Sequence, residues 1–120
     1  MRVLIVDDAL FMRVTLEKIL SGAVHEVVGH AANGIEALNA YKKHKPDLVT
    51  MDMSMPEMDG ISAVRELKKI DQNAKIIMVS AMGQEMIVKD AIFAGASDFI
   101  IKPFRPEKVL ESIGKIANKL

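Results

Sequence analysis

Short apolar runs alternate with longer amphipathic stretches along the whole chain, and this alternation limits the possible fold more than any other feature. Runs rich in Val, Ile, Leu and Met are typical of strands buried on both faces of a parallel sheet. The stretches between them repeat apolar residues at helical spacing, so each strand is predicted to be followed by a helix. Strands are predicted at residues 2–6, 26–30, 47–51, 75–79 and 98–101. The chain is therefore expected to be an α/β protein of five strand–helix units.

Residues that start or stop helices lie where these units predict helix ends. Asp8 is suited to cap a first helix over residues 9–20, and Gly22 is suited to a left-handed stop after it. The other residues of this kind are Asn33 and Pro46 around the second helix, Asp59 and Gly60 before the third, Gly83 and Gly95 around the fourth, and Pro106 at the start of the fifth. The caps and the apolar pattern thus predict the same helices.

The composition indicates one globular domain. A chain of 120 residues suits a single core, and we expect residues 1–120 to form one domain without a separate effector domain. No apolar stretch approaches the roughly 20 residues that span a bilayer, which favours a cytoplasmic protein without membrane contact. Sixteen basic residues balance sixteen acidic ones, so nucleic-acid binding is not expected. The absence of cysteine excludes disulfides, thiolate metal sites and thiol nucleophiles.

Acidic residues and one lysine follow the apolar runs. Asp7 and Asp8 come after the first run, Asp52 after the third and Lys102 after the fifth. The carboxyl ends of parallel strands share one edge of the sheet, where ligands bind in open α/β folds. Carboxylates about 4 Å apart repel one another by about 4 kcal/mol per pair at an effective dielectric constant of about 20. The cluster therefore predicts a site for a divalent cation.

Four motifs, in order along the chain, resemble those of response-regulator receiver domains. They are Val-Asp-Asp at 6–8, Met-Asp-Met-Ser-Met-Pro-Glu-Met-Asp-Gly at 51–60, Ser-Ala at 80–81 and Lys-Pro-Phe at 102–104. Segments 8–13 and 80–84 further resemble stand-alone chemotaxis regulators of the CheY type. The resemblance implies a single doubly wound, flavodoxin-like (βα)5 domain with parallel strand order 2-1-3-4-5. Flavodoxin and CheY share that order, which the apolar pattern alone does not determine.

The resemblance also implies the roles of the charged residues. Asp52 would accept a phosphoryl group from a phosphohistidine on a partner histidine kinase. Asp8 and Asp52 would ligate Mg²⁺ directly, with Mn²⁺ as a substitute metal. Asp7 would act mainly through a bound water, and Ser54 would add its backbone carbonyl. Lys102 would pair with the phosphoryl oxygens, and the family suggests a cis peptide bond after it. Such a protein is a phosphoacceptor rather than an enzyme, although it assists its own phosphotransfer and autodephosphorylation.

A signal would leave the site through a second set of residues that the resemblance implies. Ser80 would offer its hydroxyl to a phosphoryl oxygen, and Phe99 would turn into the space that Ser80 vacates. Many chemotaxis regulators carry Tyr at that position, so the strength of the coupling stays open. Val88, Ile92 and Phe99 are expected to form a partner face. The expected output protein is the flagellar motor switch, a phosphatase is a further expected partner, and the domain is expected to be a monomer.

Simpler explanations exist for these residues taken singly. Asp8 is a good helix cap, Lys102 could be an ordinary solvated lysine, and Ser80 could be a turn hydroxyl. The fourth helix could roll to bury Val88 and Ile92. Four methionines could suggest a soft-metal site, but we interpret them as core packing: Met51, Met53, Met55 and Met58. Three histidines are too scattered to form a metal site, and we interpret them as ordinary surface or partly buried residues: His25, His30 and His44.

Three other functions stay open as alternatives. The chain could serve a different phosphorelay, or be a fragment of a longer regulator. A metal-dependent phosphohydrolase with Asp52 as nucleophile is disfavoured, because haloacid-dehalogenase-type phosphatases carry a second acid two positions later, where this chain has Ser54. A flavin carrier is disfavoured because Asp7 and Asp8 would repel the flavin phosphate.

Overall fold

The protein forms one five-stranded sheet with helices on both faces in a computed structural model that describes residues 1–81 and 85–118, with only the backbone of 85–88. The strands are β1 (Arg2–Val6), β2 (Glu26–Ala31), β3 (Leu48–Asp52), β4 (Ile76–Ala81) and β5 (Asp98–Lys102). The helices are α1 (Leu10–Ser21), α2 (Gly34–His44), α3 (Gly60–Ile70), α4 (Glu85–Ala94) and α5 (Pro106–Ala117). None of the described helices is long and apolar enough to cross a membrane.

All strand pairs are parallel, and the order is β2-β1-β3-β4-β5. The predicted fold class and strand order are confirmed. β1 and β3 are neighbours at the centre of the sheet, and their register pairs Val6 with Met51. The residues that follow this pair are Asp7 and Asp52, so the register brings the two carboxylates to the same point of the sheet edge. The strand order reverses between β1 and β3, which is where open α/β sheets bind ligands.

Two apolar cores, one on each face of the sheet, hold these layers together. α1 and α5 pack on one face through residues such as Leu16 and Ile113, and α2, α3 and α4 pack on the other through residues such as Leu67. Met51 and Met53 are buried in the second core, with Met55 and Met58 packed against it. The packing interpretation of the methionines is therefore confirmed.

Most predicted helix ends are confirmed. The side chains of Asn33 and Asp59 each accept a hydrogen bond from the N–H of the third residue of α2 and α3, at 2.9 and 2.8 Å. Such bonds satisfy N–H groups that have no partner within the helix. Gly95 follows α4 with a φ of 122°, a conformation that glycine adopts readily, and Pro106 is the first residue of α5. The prediction for Gly83 lies outside the described residues.

Both predictions for the ends of α1 are wrong. The residue before the helix is Ala9, and no side chain caps it. The carboxylate that bonds this turn belongs to Asp7, whose Oδ1 accepts the Ala9 N–H at 2.9 Å, while Asp8 is exposed. Gly22 has a φ of −74°, because the chain continues in a right-handed turn after α1. The N–H of Gly22 donates to the Lys18 carbonyl oxygen at 3.1 Å. That turn requires no left-handed residue.

Candidate functional site

The carboxyl ends of β1, β3 and β5 meet at one edge of the sheet, and the four predicted charged side chains lie there. Carboxylate oxygens of Asp7, Asp8 and Asp52 lie within 4.8 Å of one another. Asp7 and Asp52 are buried, with exposed fractions of 1% and 6%, whereas Asp8 is open to solvent. The sheet therefore brings three acids, from the ends of two neighbouring strands, into one cluster. Among the three, Asp8 is the one that is accessible to solvent.

Lys102 brings a single positive charge into this cluster. Its Nζ donates to Asp7 Oδ2 at 3.1 Å and to Asp52 Oδ1 at 3.2 Å. The side chain is only 25% exposed, so the alternative of an ordinary solvated lysine is wrong. The peptide bond to Pro103 is cis, as the family resemblance suggests. The last residue of β5 thus reaches across the sheet edge to the acids that follow β1 and β3.

Every polar group of Asp7 has a hydrogen-bond partner. Its N–H donates to the Ala31 carbonyl at 3.0 Å, and its Oδ1 accepts the Ala9 N–H at 2.9 Å. Its Oδ2 accepts from Lys102, and its carbonyl accepts from the guanidinium group of Arg13. Such a carboxylate is fixed in position, and its oxygens are already engaged. Sequence reasoning missed the Arg13 contact. The only available signal was that Arg13 ends the Asp-Ala-Leu-Phe-Met-Arg segment.

The electrostatics of the cluster favour one further positive ion. Burial is the main cause that raises the pKa of Asp52; the charge of Asp7 adds to it, and Lys102 offsets part of it. Burial lowers the pKa of Lys102, but Asp52 and Asp7 outweigh that effect and raise it, so the ammonium stays charged. Three carboxyl groups lie together, and one ammonium contacts two of them, so the acidic groups outnumber the cations that pair with them. An all-oxygen ligand set with this excess of acidic groups fits Mg²⁺ or Mn²⁺.

Ser80 lies within β4, beside β5, rather than in a turn. Its side chain is 1% exposed, and its Oγ makes no hydrogen bond to any described residue. A buried hydroxyl without a partner destabilises a fold by about 1–3 kcal/mol. The turn-hydroxyl explanation therefore fails, and Ser80 is left with a donor and acceptor unused close to the carboxyl edge of the sheet.

The remaining predicted residues lie around this cluster. Ser54 is exposed in the loop two positions after Asp52. On the α4–β5 side, Ile92 is 44% and Phe99 37% exposed, so these two members of the predicted partner face are accessible. The side chain of Val88 lies outside the described residues.

Comparison with known proteins agrees with this site. The response regulator receiver domain family model matches residues 3–114. The chain is 59% identical to the chemotaxis protein CheY of Thermotoga maritima, over 97% of both chains, and 59% identical to that of Bacillus subtilis, over 98% of both. A chain of the CheX–CheY–BeF3–Mg²⁺ complex from Borrelia burgdorferi is similar in structure, with a TM-score of 0.92 and 41% identity over 96% of this chain and 87% of that one. The protein belongs to the response regulator receiver domain family, and these relatives within it are CheY proteins.

Proposed function

We propose that the protein is a phosphorylation-activated chemotaxis switch of a two-component system, in which Asp52 accepts the phosphoryl group of a partner histidine kinase. The observation that carries this proposal is the ammonium of Lys102 shared between Asp7 and Asp52, at 3.1 and 3.2 Å, within a buried acidic cluster. The CheY relatives at 59% identity favour chemotaxis over another phosphorelay. The switch would act as a cytoplasmic monomer.

The proposed reaction moves one phosphoryl group from a ring nitrogen to a carboxylate. An Asp52 oxygen attacks the phosphorus of phosphohistidine, and the P–N bond breaks with its electron pair going to the nitrogen. The ring leaves as neutral imidazole because its other nitrogen carries a proton. Negative charge in such a transfer spreads over the phosphoryl oxygens, so catalysis is mostly positioning and electrostatic stabilisation. Lys102, whose ammonium contacts Asp52, would pair with those oxygens, and the Ser80 hydroxyl, which has no described partner, would donate to one of them.

The metal would be held by the exposed side of the cluster. Asp8 and Asp52 would bind Mg²⁺ directly, and Ser54 would add its backbone carbonyl. Asp7 would act through a water, which agrees with the two hydrogen bonds that already occupy its carboxylate. When bound, the ion would neutralise charge on the transferred phosphoryl oxygens. The chain's own groups would perform autodephosphorylation at the same site.

Output would pass through the α4–β5 side of the molecule. Once the Ser80 hydroxyl bonds a phosphoryl oxygen, Phe99 would turn inward and alter the face formed by Val88, Ile92 and Phe99. Phe93, which is 90% exposed, lies next to this face in the chain. We propose the flagellar motor switch as the protein that reads it. The Borrelia burgdorferi relative occurs in a complex with CheX, and we propose that a phosphatase also contacts this chain.

The direct test is intact-mass spectrometry after incubation with acetyl phosphate, with Mg²⁺ or with EDTA. We expect a gain of one phosphoryl group that requires Mg²⁺ and is absent in Asp52→Asn. Asp59→Asn is the matched control. Asp59 lies in the loop after Asp52, and Asn keeps its helix cap, so that variant should be phosphorylated like the wild type.

Two results would contradict the proposal. An adduct that persists in Asp52→Asn would place the acceptor elsewhere. No adduct on a folded protein that binds Mg²⁺, tested both with acetyl phosphate and with a phosphorylated histidine kinase, would mean that the site does not accept phosphoryl groups. Continuous release of phosphate from unrelated phosphate esters would favour the phosphohydrolase.

A further inference from the structure

The guanidinium group of Arg13 lies beside the acidic cluster but bonds the backbone. Its Nη1 donates to the carbonyl oxygen of Asp7, and in the part of the chain that the structure describes it forms no ion pair with a carboxylate. Its Nε is buried and has no hydrogen-bond partner there. A cation next to three carboxylates would be expected to pair with one of them. Because Arg13 donates to a backbone carbonyl instead, its side chain indicates a role in fixing the backbone at Asp7.

This bond completes a closed set of contacts around residues 7–9, here called the acidic turn. Asp7 Oδ1 accepts the N–H of Ala9 at 2.9 Å. The carbonyl of Ala9 accepts the backbone N–H of Arg13 at 3.1 Å, and the Arg13 side chain reaches back to the Asp7 carbonyl. Both ends of the acidic turn are therefore tied to the first turn of α1. Asp8 lies between these ends, and its exposed side chain has no hydrogen bond of its own to a described residue.

We propose that Arg13 is a positioning residue that fixes the acidic turn so that the Asp8 carboxylate stays where Mg²⁺ can bind it. This inference rests on the proposed function, since it concerns the same metal. Because no side-chain bond to a described residue holds Asp8, the backbone of the acidic turn sets where its Cβ lies and therefore which positions its carboxylate can reach. Residues that orient metal ligands in this way change metal affinity without touching the metal.

Charge and positioning predict opposite effects when Arg13 is removed. If Arg13 acted only by its positive charge, it would repel Mg²⁺, and its loss would tighten metal binding. If it acts by holding the acidic turn, its loss weakens metal binding. The sign of the change in affinity therefore separates the two roles.

The experiment is calorimetric titration of Mg²⁺ into the wild type, Arg13→Met and Arg13→Lys at fixed ionic strength. Arg13→Met keeps the apolar stem but removes charge and donors, and we expect its Mg²⁺ dissociation constant to rise about tenfold, the lower end of losses when ligand-orienting residues are removed. Arg13→Lys keeps a donor and the charge, so it should restore most of the affinity. Arg65→Met is the matched control. Arg65 lines the groove beside Ser54 but not the acidic turn, so its loss should leave the affinity unchanged or slightly tighter.

A second measurement needs no metal. Amide hydrogen exchange of Ala9 in the metal-free protein should become several-fold faster in Arg13→Met, while exchange in the central strand β3 stays as in the wild type. If Arg13→Met does not fold, Arg13→Gln provides the same comparison. The Gln side chain is neutral and shorter than that of Arg, so we expect its amide not to reach the Asp7 carbonyl.

Unchanged or tighter Mg²⁺ binding in the neutral variant, with unchanged Ala9 exchange, would overturn the inference. Faster exchange throughout the protein would also overturn it, because the effect would then be on general stability. Failure of the wild type itself to bind Mg²⁺ or to be phosphorylated would reject the proposed function instead, so the two failures are distinguishable.

Discussion

The two edges of the sheet treat their polar groups in opposite ways. At the edge where the strands begin, charged and polar groups have partners close by. The N–H of Arg2 donates to Asp47 at 2.8 Å, and its guanidinium group donates to two carbonyls at the end of α2, at 2.8 and 2.9 Å. The hydroxyl of Tyr41 donates to Asp71 at 2.9 Å and joins the ends of α2 and α3.

At the edge where the strands end, charge exceeds its compensation. Asp7 and Asp52 share the ammonium of Lys102, the nearby carboxylate of Asp8 has no ion pair with a described residue, and the buried hydroxyl of Ser80 has no described partner. Groups that are kept uncompensated can bind a metal and a phosphoryl group, whereas groups that are already paired can only stabilise the fold. We call the edge where the strands begin the first edge and the edge where they end the second edge. The comparison predicts that removing a paired polar group at the first edge lowers stability, and that some substitutions at the second edge raise stability while abolishing function.

The largest expected effect tests how tightly the fold holds the second edge. A Cβ atom on Gly60 would lie 2.3 Å from the Asp52 carbonyl oxygen and 2.8 Å from Met53 Cα, both backbone atoms that cannot move aside easily. Gly60→Ala should lower the free energy of unfolding by about 3 kcal/mol, the upper part of the usual overpacking range. It should also slow phosphorylation, because Asp52 must shift. Urea denaturation and intact mass measure the two effects.

Gly114→Ala is the matched control for this substitution. Gly114 lies inside α5, and beyond its chain neighbours and the backbone of its own helix a Cβ there would meet no described atom within 4 Å. The change should raise the free energy of unfolding by up to about 1 kcal/mol, because Ala favours helix over Gly. Similar stabilities for Gly60→Ala and Gly114→Ala would show that the close approach of α3 to β3 is not needed.

The next effect concerns the first edge. Tyr41 is 6% exposed, and Tyr41→Phe would remove only the bond to Asp71. We expect a loss of about 1.5 kcal/mol in the free energy of unfolding, typical of a hydrogen bond to a charged group, with unchanged phosphorylation. Burial, followed by the bond to Asp71, raises the pKa of Tyr41 above its ordinary value. Because the chain has a single tyrosine, an absorbance titration reports this pKa, which should fall in Asp71→Asn.

A smaller effect, of opposite sign, is expected for Asp52→Asn. Removing one buried negative charge should raise the free energy of unfolding of the metal-free protein by about 1 kcal/mol near neutral pH, a usual gain when a functional site is relaxed. Asp47→Asn is the comparison at the first edge. It removes the charge of a paired carboxylate and should lower stability. A loss of stability in both variants would contradict the predicted difference between the two edges of the sheet.

The gain in Asp52→Asn should depend on pH. Burial raises the pKa of Asp52, so the folded state binds this proton more tightly than the unfolded state does. The wild type therefore gains stability as the pH falls from the raised value towards that of an ordinary carboxyl group. The advantage of Asp52→Asn should shrink over the same interval. Urea denaturation at several pH values checks this, and an advantage that grows as the pH falls would contradict the raised pKa.

The smallest effect concerns backbone strain, which both edges share. Glu57 at the second edge has a φ of 68° and Lys45 at the first edge a φ of 46°, in the left-handed region that Asn tolerates better than either residue. Glu57→Asn and Lys45→Asn should each raise the free energy of unfolding by about 0.5 kcal/mol. Thermal melts of both variants measure it. Equal gains would show that strain does not distinguish the site, whereas a change in phosphorylation only for Glu57→Asn would couple strain there to function.

Much of the fold was predictable because its signals are local. Apolar runs and helical spacing depend on neighbours along the chain, and the five strands were placed to within one or two residues. Caps such as Asn33 and Asp59 were predictable for the same reason. The start of α1 was not, because Asp7 and Asp8 are adjacent carboxylates with equal capping ability. Only the register of β1 decides which one is buried against Lys102 and turned to the Ala9 N–H.

The sequence by itself determined which chemical groups lie at the strand ends: three carboxylates, a hydroxyl and a lysine. The tertiary structure decided which of them touch. Strand order and register are pairings between segments far apart in the chain, and a shift of one residue would turn a side chain to the other face of the sheet. The contact between Lys102 and Asp7, across 95 residues, and the hold of Arg13 on the acidic turn therefore exist only in the folded chain.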